Sequence, residues 1–169
     1  NSLSTPHLFD IIYESGDNAS TIIGLEGEIN VRVSETVSLG GKANFNEFDL
    51  EQEEEAWFLP KMRLSANTRI NVSDKLYING ELLFQGLTYG FVGYDGVALD
   101  DYDWTEIAEG GRKVTIPSFM DISAGAEYRA TDRIGVYVRL NNVLNTTYER
   151  YLFYPRLGLN VIGGVNFSF

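Results

Sequence analysis

The sequence predicts an all-β fold, an antiparallel up-and-down transmembrane β-barrel of about eight strands. Three observations carry this. Apolar and polar residues alternate through segments of about ten residues. The connections between the segments are alternately short and long, and no apolar run approaches the ~18 residues that a membrane-crossing helix needs.

Taken in chain order, the first strand runs from about Leu8 to Glu14 and is the least regular. The second, Ile23 to Val33, puts Glu26, Glu28, Asn30 and Arg32 on its polar side, and the third covers Val37 to Asn46. In the fourth, Met62, Leu64, Ile70 and Val72 alternate with Arg63, Ser65, Asn67, Arg69 and Asn71; in the fifth, Leu76, Ile78, Leu82 and Phe84 alternate with Tyr77, Asn79, Glu81 and Gln85. Met120, Ile122, Ala124, Ala126 and Tyr128 oppose Asp121, Ser123, Gly125, Glu127 and Arg129 in the sixth, and Ile134, Val136, Val138 and Leu140 share a face in the seventh. The last strand sets Leu159, Val161, Gly163, Val165, Phe167 and Phe169 against Asn160, Ile162, Gly164, Asn166 and Ser168. Such lengths suit a strand tilted by about 45° across a bilayer.

Three connections are tight polar turns, Ser34-Glu35-Thr36, Ser73-Asp74-Lys75 and Ala130-Thr131-Asp132, rich in residues that hydrogen-bond their own backbone. The others are long, about Glu47 to Pro60, Thr88 to Arg112 and Asn145 to Arg156. Short turns at one end and long loops at the other is the layout of bacterial outer-membrane barrels, short turns periplasmic and long loops outside. Phe169 then falls on the periplasmic side.

Alternation alone also suits a soluble sandwich with its apolar face turned inward. Three features favour lipid outside instead. Charges sit mid-strand on the polar face with nearly balanced sign, Glu28, Lys42, Arg69, Glu81, Glu127 and Arg139, as in a lumen where they pair. Aromatics Phe45, Phe84, Tyr128, Phe167 and Phe169 fall near strand ends, where interface girdles belong. The excess acid behind the net charge of -11 is concentrated in Glu47 to Glu55 and Asp95 to Glu109, leaving the rest near neutral.

That charge argues against nucleic acid, which requires Lys and Arg to displace counterions. With no cysteine there are no disulfides, thiolates or Cys-held metals. The single histidine, His7, has no evident Ser or Asp partner, so a Ser-His hydrolase is not expected and no catalytic residue is assigned. The acids Asp49, Glu51, Glu53, Glu54 and Glu55, and the set Asp95, Asp100, Asp101, Asp103 and Glu106, lack EF-hand spacing; they read as solvated loops, and no metal or cofactor is assigned. Loop aromatics Trp57, Phe58, Tyr102, Trp104, Tyr151 and Tyr154 are the candidate ligand contacts, with packing at the membrane rim as the competing role.

Several motifs then carry a resemblance. Leu140-Asn141-Asn142-Val143-Leu144-Asn145 followed by Tyr148, Pro155-Arg156-Leu157-Gly158, and the aromatic ending Gly163 to Phe169 resemble the C-terminal barrel region of TonB-dependent outer-membrane receptors. Gly24-Leu25-Glu26-Gly27-Glu28 and Ile116-Pro117-Ser118-Phe119-Met120-Asp121 are similar to strand starts of the same barrels, while Pro155-Arg156-Leu157-Gly158 departs from the family's Pro-Gly-Arg order. The resemblance implies a single segment, residues 1–169, from a larger barrel, with neither plug nor TonB-binding box in it. It implies energised import of a scarce nutrient, whether an iron complex, a cobalamin-like cofactor or a glycan. The implied partners are outer-membrane lipid, the nutrient, TonB through an N-terminal region, and the barrel-assembly machinery, which would read Phe167 and Phe169 as an insertion signal. The alternative is a complete eight-stranded barrel that anchors or adheres. Free edges are a hazard, so a segment standing alone is expected to close on itself or pair with a second copy.

Overall fold

The computed structural model describes residues 17–93, 103–107 and 111–169, and these are all strand, turn and loop. Seven strands form one antiparallel sheet: β1 (Thr21–Arg32), β2 (Val37–Asp49), β3 (Met62–Asn71), β4 (Leu76–Gln85), β8 (Phe119–Arg129), β9 (Ile134–Asn141) and β10 (Asn160–Phe167), in that order. They correspond to seven of the eight strands read from alternation; the expected Leu8 to Glu14 strand lies outside the described residues. Between β4 and β8 the chain builds what alternation did not predict. β5 (Thr88–Gly93), β6 (Trp104–Ile107) and β7 (Gly111–Ile116) form a second antiparallel sheet in the order β5-β7-β6, where a long loop was expected. Strands of four to six residues are too short for a convincing period-two signal, and the acids between them read as loop.

Each short turn is closed by a hydroxyl near its start. Ser34 Oγ accepts from the amides of Thr36 and Val37, Ser73 Oγ from Lys75 and Leu76, and Thr131 Oγ1 from Arg133 and Ile134. These side chains satisfy amides that the ladder leaves over, which fixes the turn and hence the register of the strands it joins.

Register puts the two faces in plain view. One cross-strand row reads Val31, Leu39, Thr68, Gly80, Ala124, Leu140, Val161; the adjacent row, on the opposite face, reads Arg32, Ser38, Arg69, Asn79, Gly125, Arg139, Ile162. Nothing among the described residues covers the apolar face: Leu25 and Ile23 are 70% exposed and Val165 66%. An uncovered apolar surface spanning seven strands is far larger than the patches a water-soluble monomer tolerates.

The polar face behaves as an interior wall. Lys42 pairs with Glu26 at 2.8 Å and Arg139 with Glu81 at 2.7 Å, while Arg69 lies over the Tyr77 ring at 4.9 Å. Glu28, expected in such a pair, instead accepts from Asn30 Nδ2. The aromatics expected at the strand ends of the apolar face are found there: Phe45 and Phe84 at the long-loop end, Tyr128 and Phe167 at the turn end.

The sheet is an open wall. Among the described residues β1 is bonded only to β2 and β10 only to β9, so these strands form no closed barrel. An eight-stranded barrel has room inside only for its own side chains. Here the polar face also carries a loop folded against it, and the buried core lies at the long-loop end, in Val92, Val114, Ile116 and Leu152.

Candidate functional site

Three long connections meet at that end. The small sheet supplies Val92, Val114 and Ile116, the last connection inserts Leu152 (3% exposed) among them, and Phe58 and Phe153 pack around the cluster. Gly90 is what allows Leu152 in: a Cβ there would sit 2.5 Å from Leu152 Cδ1 and 3.0 Å from Phe58 Cε1. The connection after β2 is stitched on by the Phe58 amide, which donates to Tyr89 O at 2.7 Å. Trp57 packs on Phe91 at 5.4 Å and Phe58 on Tyr151 at 5.8 Å. Lys113 bonds Glu54 and Glu55 and lies 5.0 Å from the centre of the Tyr89 ring. Hydrogen bonding to Glu54 is the main reason its ammonium is held above the usual lysine pKa, against a smaller opposing effect of burial.

The connection 142–159 is pinned to the polar face by two asparagines in the left-handed region, where Asn is tolerated better than most residues. Asn142 (φ 51°) is 2% exposed; its Nδ2 donates to the carbonyls of Thr146 and Leu157, and its Oδ1 accepts from the Thr146 amide. Asn145 (φ 51°) accepts from the Leu159 amide through Oδ1. Further along, Tyr148 stacks on Phe119 with ring centroids 4.0 Å apart and donates its hydroxyl to Asp121 Oδ2. Burial first, and that bond second, push the Tyr148 phenol above its ordinary pKa. In the sequence Asn142, Asn145 and Tyr148 belong to a motif with no evident role. Their job is to fold this connection over the wall.

The expected ligand-contact residues divide. Trp57 and Phe58 are half-buried and hold the loops together, whereas Tyr151 and Tyr154 are 48% and 44% exposed. Trp104 enters β6 opposite Val114, and Tyr102 lies outside the described residues. The acids expected to form a solvated run are in part structural: Glu51 accepts from Asn18, Glu53 from Trp57 Nε1, and Glu54 and Glu55 from Lys113. Of the second acidic set, Asp95, Asp100 and Asp101 are outside the described residues. Phe167 is 63% exposed and Phe169 fully so, and the Ser168 amide still pairs with Arg133 O.

Two cavities adjoin these loops. One, of about 760 Å³, is walled by Leu50, Leu59, Met62, Phe84 and Leu87 with Asp49, Glu53 to Glu55, Lys61 and Thr88. The other, of about 590 Å³, opens on the polar face between Glu81, Asp121, Arg139, Tyr148 and Arg156. Carboxylates, aromatic rings and apolar walls brought together are the chemistry from which binding sites are built.

Known structures share the fold of this chain. The ferripyoverdine receptor of the outer membrane of Pseudomonas aeruginosa matches 89% of this chain with a TM-score of 0.71 and 18% sequence identity. The chain has the fold of an outer-membrane receptor's barrel wall. The siderophore receptor PiuA from Acinetobacter baumannii (TM-score 0.65, 15% identity, 88% of this chain) and the ferric-catecholate import receptor Fiu from Escherichia coli K12 (0.66, 9%, 88%) are similar in the same way. The match occupies 20%, 22% and 21% of those receptors, so the chain spans about a fifth of their length. No protein-family model matches the sequence, and no curated protein does.

Proposed function

We propose that this chain is the C-terminal barrel segment of a TonB-dependent receptor in a bacterial outer membrane, and that the receptor imports an iron complex. The observation that carries the reading is the pairing of an uncovered apolar face with long connections packed together at one end of the strands. That combination supports a reading with lipid on one side, a polar lumen on the other and a binding surface toward the exterior. Likeness of fold to siderophore receptors favours an iron complex over a cobalamin-like cofactor or a glycan. Among the described residues the outer edges of β1 and β10 have no strand partner, which fits a wall continued by further strands better than a self-contained anchoring barrel. TonB, acting through an N-terminal region, would supply the energy, and the barrel-assembly machinery would read Phe167 and Phe169. The test is growth. The full receptor, expressed in an iron-starved Gram-negative host stripped of its own siderophore receptors, restores growth on a ferric siderophore only when that host has TonB. Growth restored by none of a panel of ferric complexes, or restored without TonB, would refute it.

A further inference from the structure

The last connection is tied to the centre of the wall by a chain of side chains. Glu81 on β4 accepts from Arg139 Nη2 at 2.7 Å, and Arg139 Nε donates to Asn141 Oδ1 at 2.9 Å. Asn141 Nδ2 donates in turn to Asn160 Oδ1 at 2.9 Å, and Asn160 Nδ2 to the carbonyl of Gly158 at 3.1 Å. The two carboxamides stand head to tail. An amide whose oxygen accepts on one side commits its NH2 group to the other, so the placement of Arg139 at one end fixes the donor that holds Gly158 at the far end. On either side of Gly158, Asn142 holds the Leu157 carbonyl and Asn145 the Leu159 amide. The chain of bonds thus ends where the connection rejoins β10.

Its other end lies open to the lumen. Arg139 crosses β8 to reach Glu81 between Gly125 and Ser123, the residues in register with each, where a missing side chain and a small one leave room. The ion pair is half-exposed and lines the cavity of about 590 Å³ together with Arg156 and Leu157 of the connection. Arg139 spends Nε and Nη2, which form one edge of its guanidinium, and that edge is the one a carboxylate takes side-on in a bidentate pair. A carboxylate in the cavity competes with Glu81 and Asn141 at once. Arg156, which pairs with no described carboxylate, stands in the same cavity to attract it.

We infer that this chain of bonds is a latch worked from the lumen: a carboxylate-bearing solute in the cavity takes Arg139, frees Asn141 and Asn160 to turn, and so loosens the stretch 155–159 from the polar face. Assigning that solute to the imported complex rests on the importer reading; the latch itself rests on the bonds alone. Leu152, buried in the loop core, still holds the body of the connection, so release is local.

Hydrogen exchange on the full receptor in lipid vesicles tests this at two amides, Leu159, bonded to Asn145 Oδ1 inside the latched stretch, and Phe153, bonded to Glu149 Oε2 outside it. Arg139→Gln and Asn160→Leu each speed exchange at Leu159 about fivefold, the loss of one hydrogen bond, and leave Phe153 unchanged. The double variant exchanges no faster than the faster single one, because both cut the same chain. Succinate speeds exchange at Leu159 severalfold, methanesulfonate at equal ionic strength does not, and neither acts on Arg139→Gln. Glu81→Gln, which removes the competing carboxylate and keeps its bulk, lowers the succinate concentration required severalfold. Unchanged exchange in Arg139→Gln, multiplying effects in the double variant, or a rise at Phe153 equal to that at Leu159 overturns the latch. A succinate effect that methanesulfonate matches, that survives Arg139→Gln, or that is absent overturns the carboxylate as its trigger. Iron uptake enters none of these readouts, so a negative result here and a negative growth test refute separate claims.

Discussion

The packing of Leu152 against Gly90 allows a sharp test of whether the long connections form one body. Leu152→Ala removes a buried side chain from the cluster of Val92, Val114 and Ile116, a change that costs about 2–5 kcal/mol in cores of this kind. Gly90→Ala forces a methyl to within 2.5 Å of Leu152 Cδ1, and such overpacking costs about 1–3 kcal/mol. Together the changes partly cancel. With Leu152 cut back to alanine the new methyl at residue 90 enters vacated space, so the double variant should be less destabilised than the two single costs combined by about 1 kcal/mol or more. Phe58 Cε1, 3.0 Å from the same point, limits the rescue. Global unfolding would average over the wall, so the assay must be local. Native-state hydrogen exchange of the Phe58 amide, which bonds Tyr89 O across the junction, reports docking of the connection after β2. Trypsin cleavage at Arg150 and Arg156 reports docking of the last connection. Strict additivity, or single variants that leave both readouts unchanged, would mean that the loops do not depend on this core.

Adjacent residues on β8 separate the two faces: Ala124→Arg, on the apolar face, should cost about 2–4 kcal/mol in lipid and reduce membrane assembly, while Ser123→Arg, on the polar face, should be tolerated. The opposite order in a lipid-vesicle folding titration would invert the wall. Asn142→Asp removes the two donations to Thr146 O and Leu157 O and sets a carboxylate against those carbonyls, so a loss of about 2–4 kcal/mol in docking of the last connection is expected, read as faster proteolysis there. Tyr148 gives a pH dependence of known sign. Its folded pKa lies above the ordinary 10.0, so its contribution is complete below that value and is lost as pH rises through the folded pKa. An ultraviolet titration should show one tyrosine ionising late, with loop release following it and no change of docking from this group at neutral or acid pH; in Tyr148→Phe that late step disappears. Lys113 follows the same sign: the contribution of its ammonium is complete below the ordinary lysine pKa of 10.5 and is lost as pH rises through the raised folded value, which chemical labelling of the amine across alkaline pH would reveal.

Sequence alone determined the wall. A period of two is a local property, and a slip of one residue would move every apolar side chain to the polar face, so alternation from Ile23 to Phe167 specifies strands, faces and register wherever Ser34, Ser73 and Thr131 close the turns. The motif around Asn142 and Asn145 was legible as a signature; its role as a clamp was not, because the carbonyl of Leu157 and the amide of Leu159 reach those side chains only after the connection has folded back. Tertiary structure decided the rest. Thr88 to Ile116 reads as an acidic loop, and β5, β6 and β7 exist there because Leu152, some 40–60 residues later in the chain, completes a core that their own four to six residues are too short to make. Trp57 and Phe58 were visible as aromatics, but whether a ring meets a ligand or another loop depends on contacts distant in sequence, and here they meet Phe91 and Tyr151. Charge was countable residue by residue, whereas the cavity that gathers Asp49, Glu53 to Glu55 and Thr88 into one wall arises only where separate connections converge.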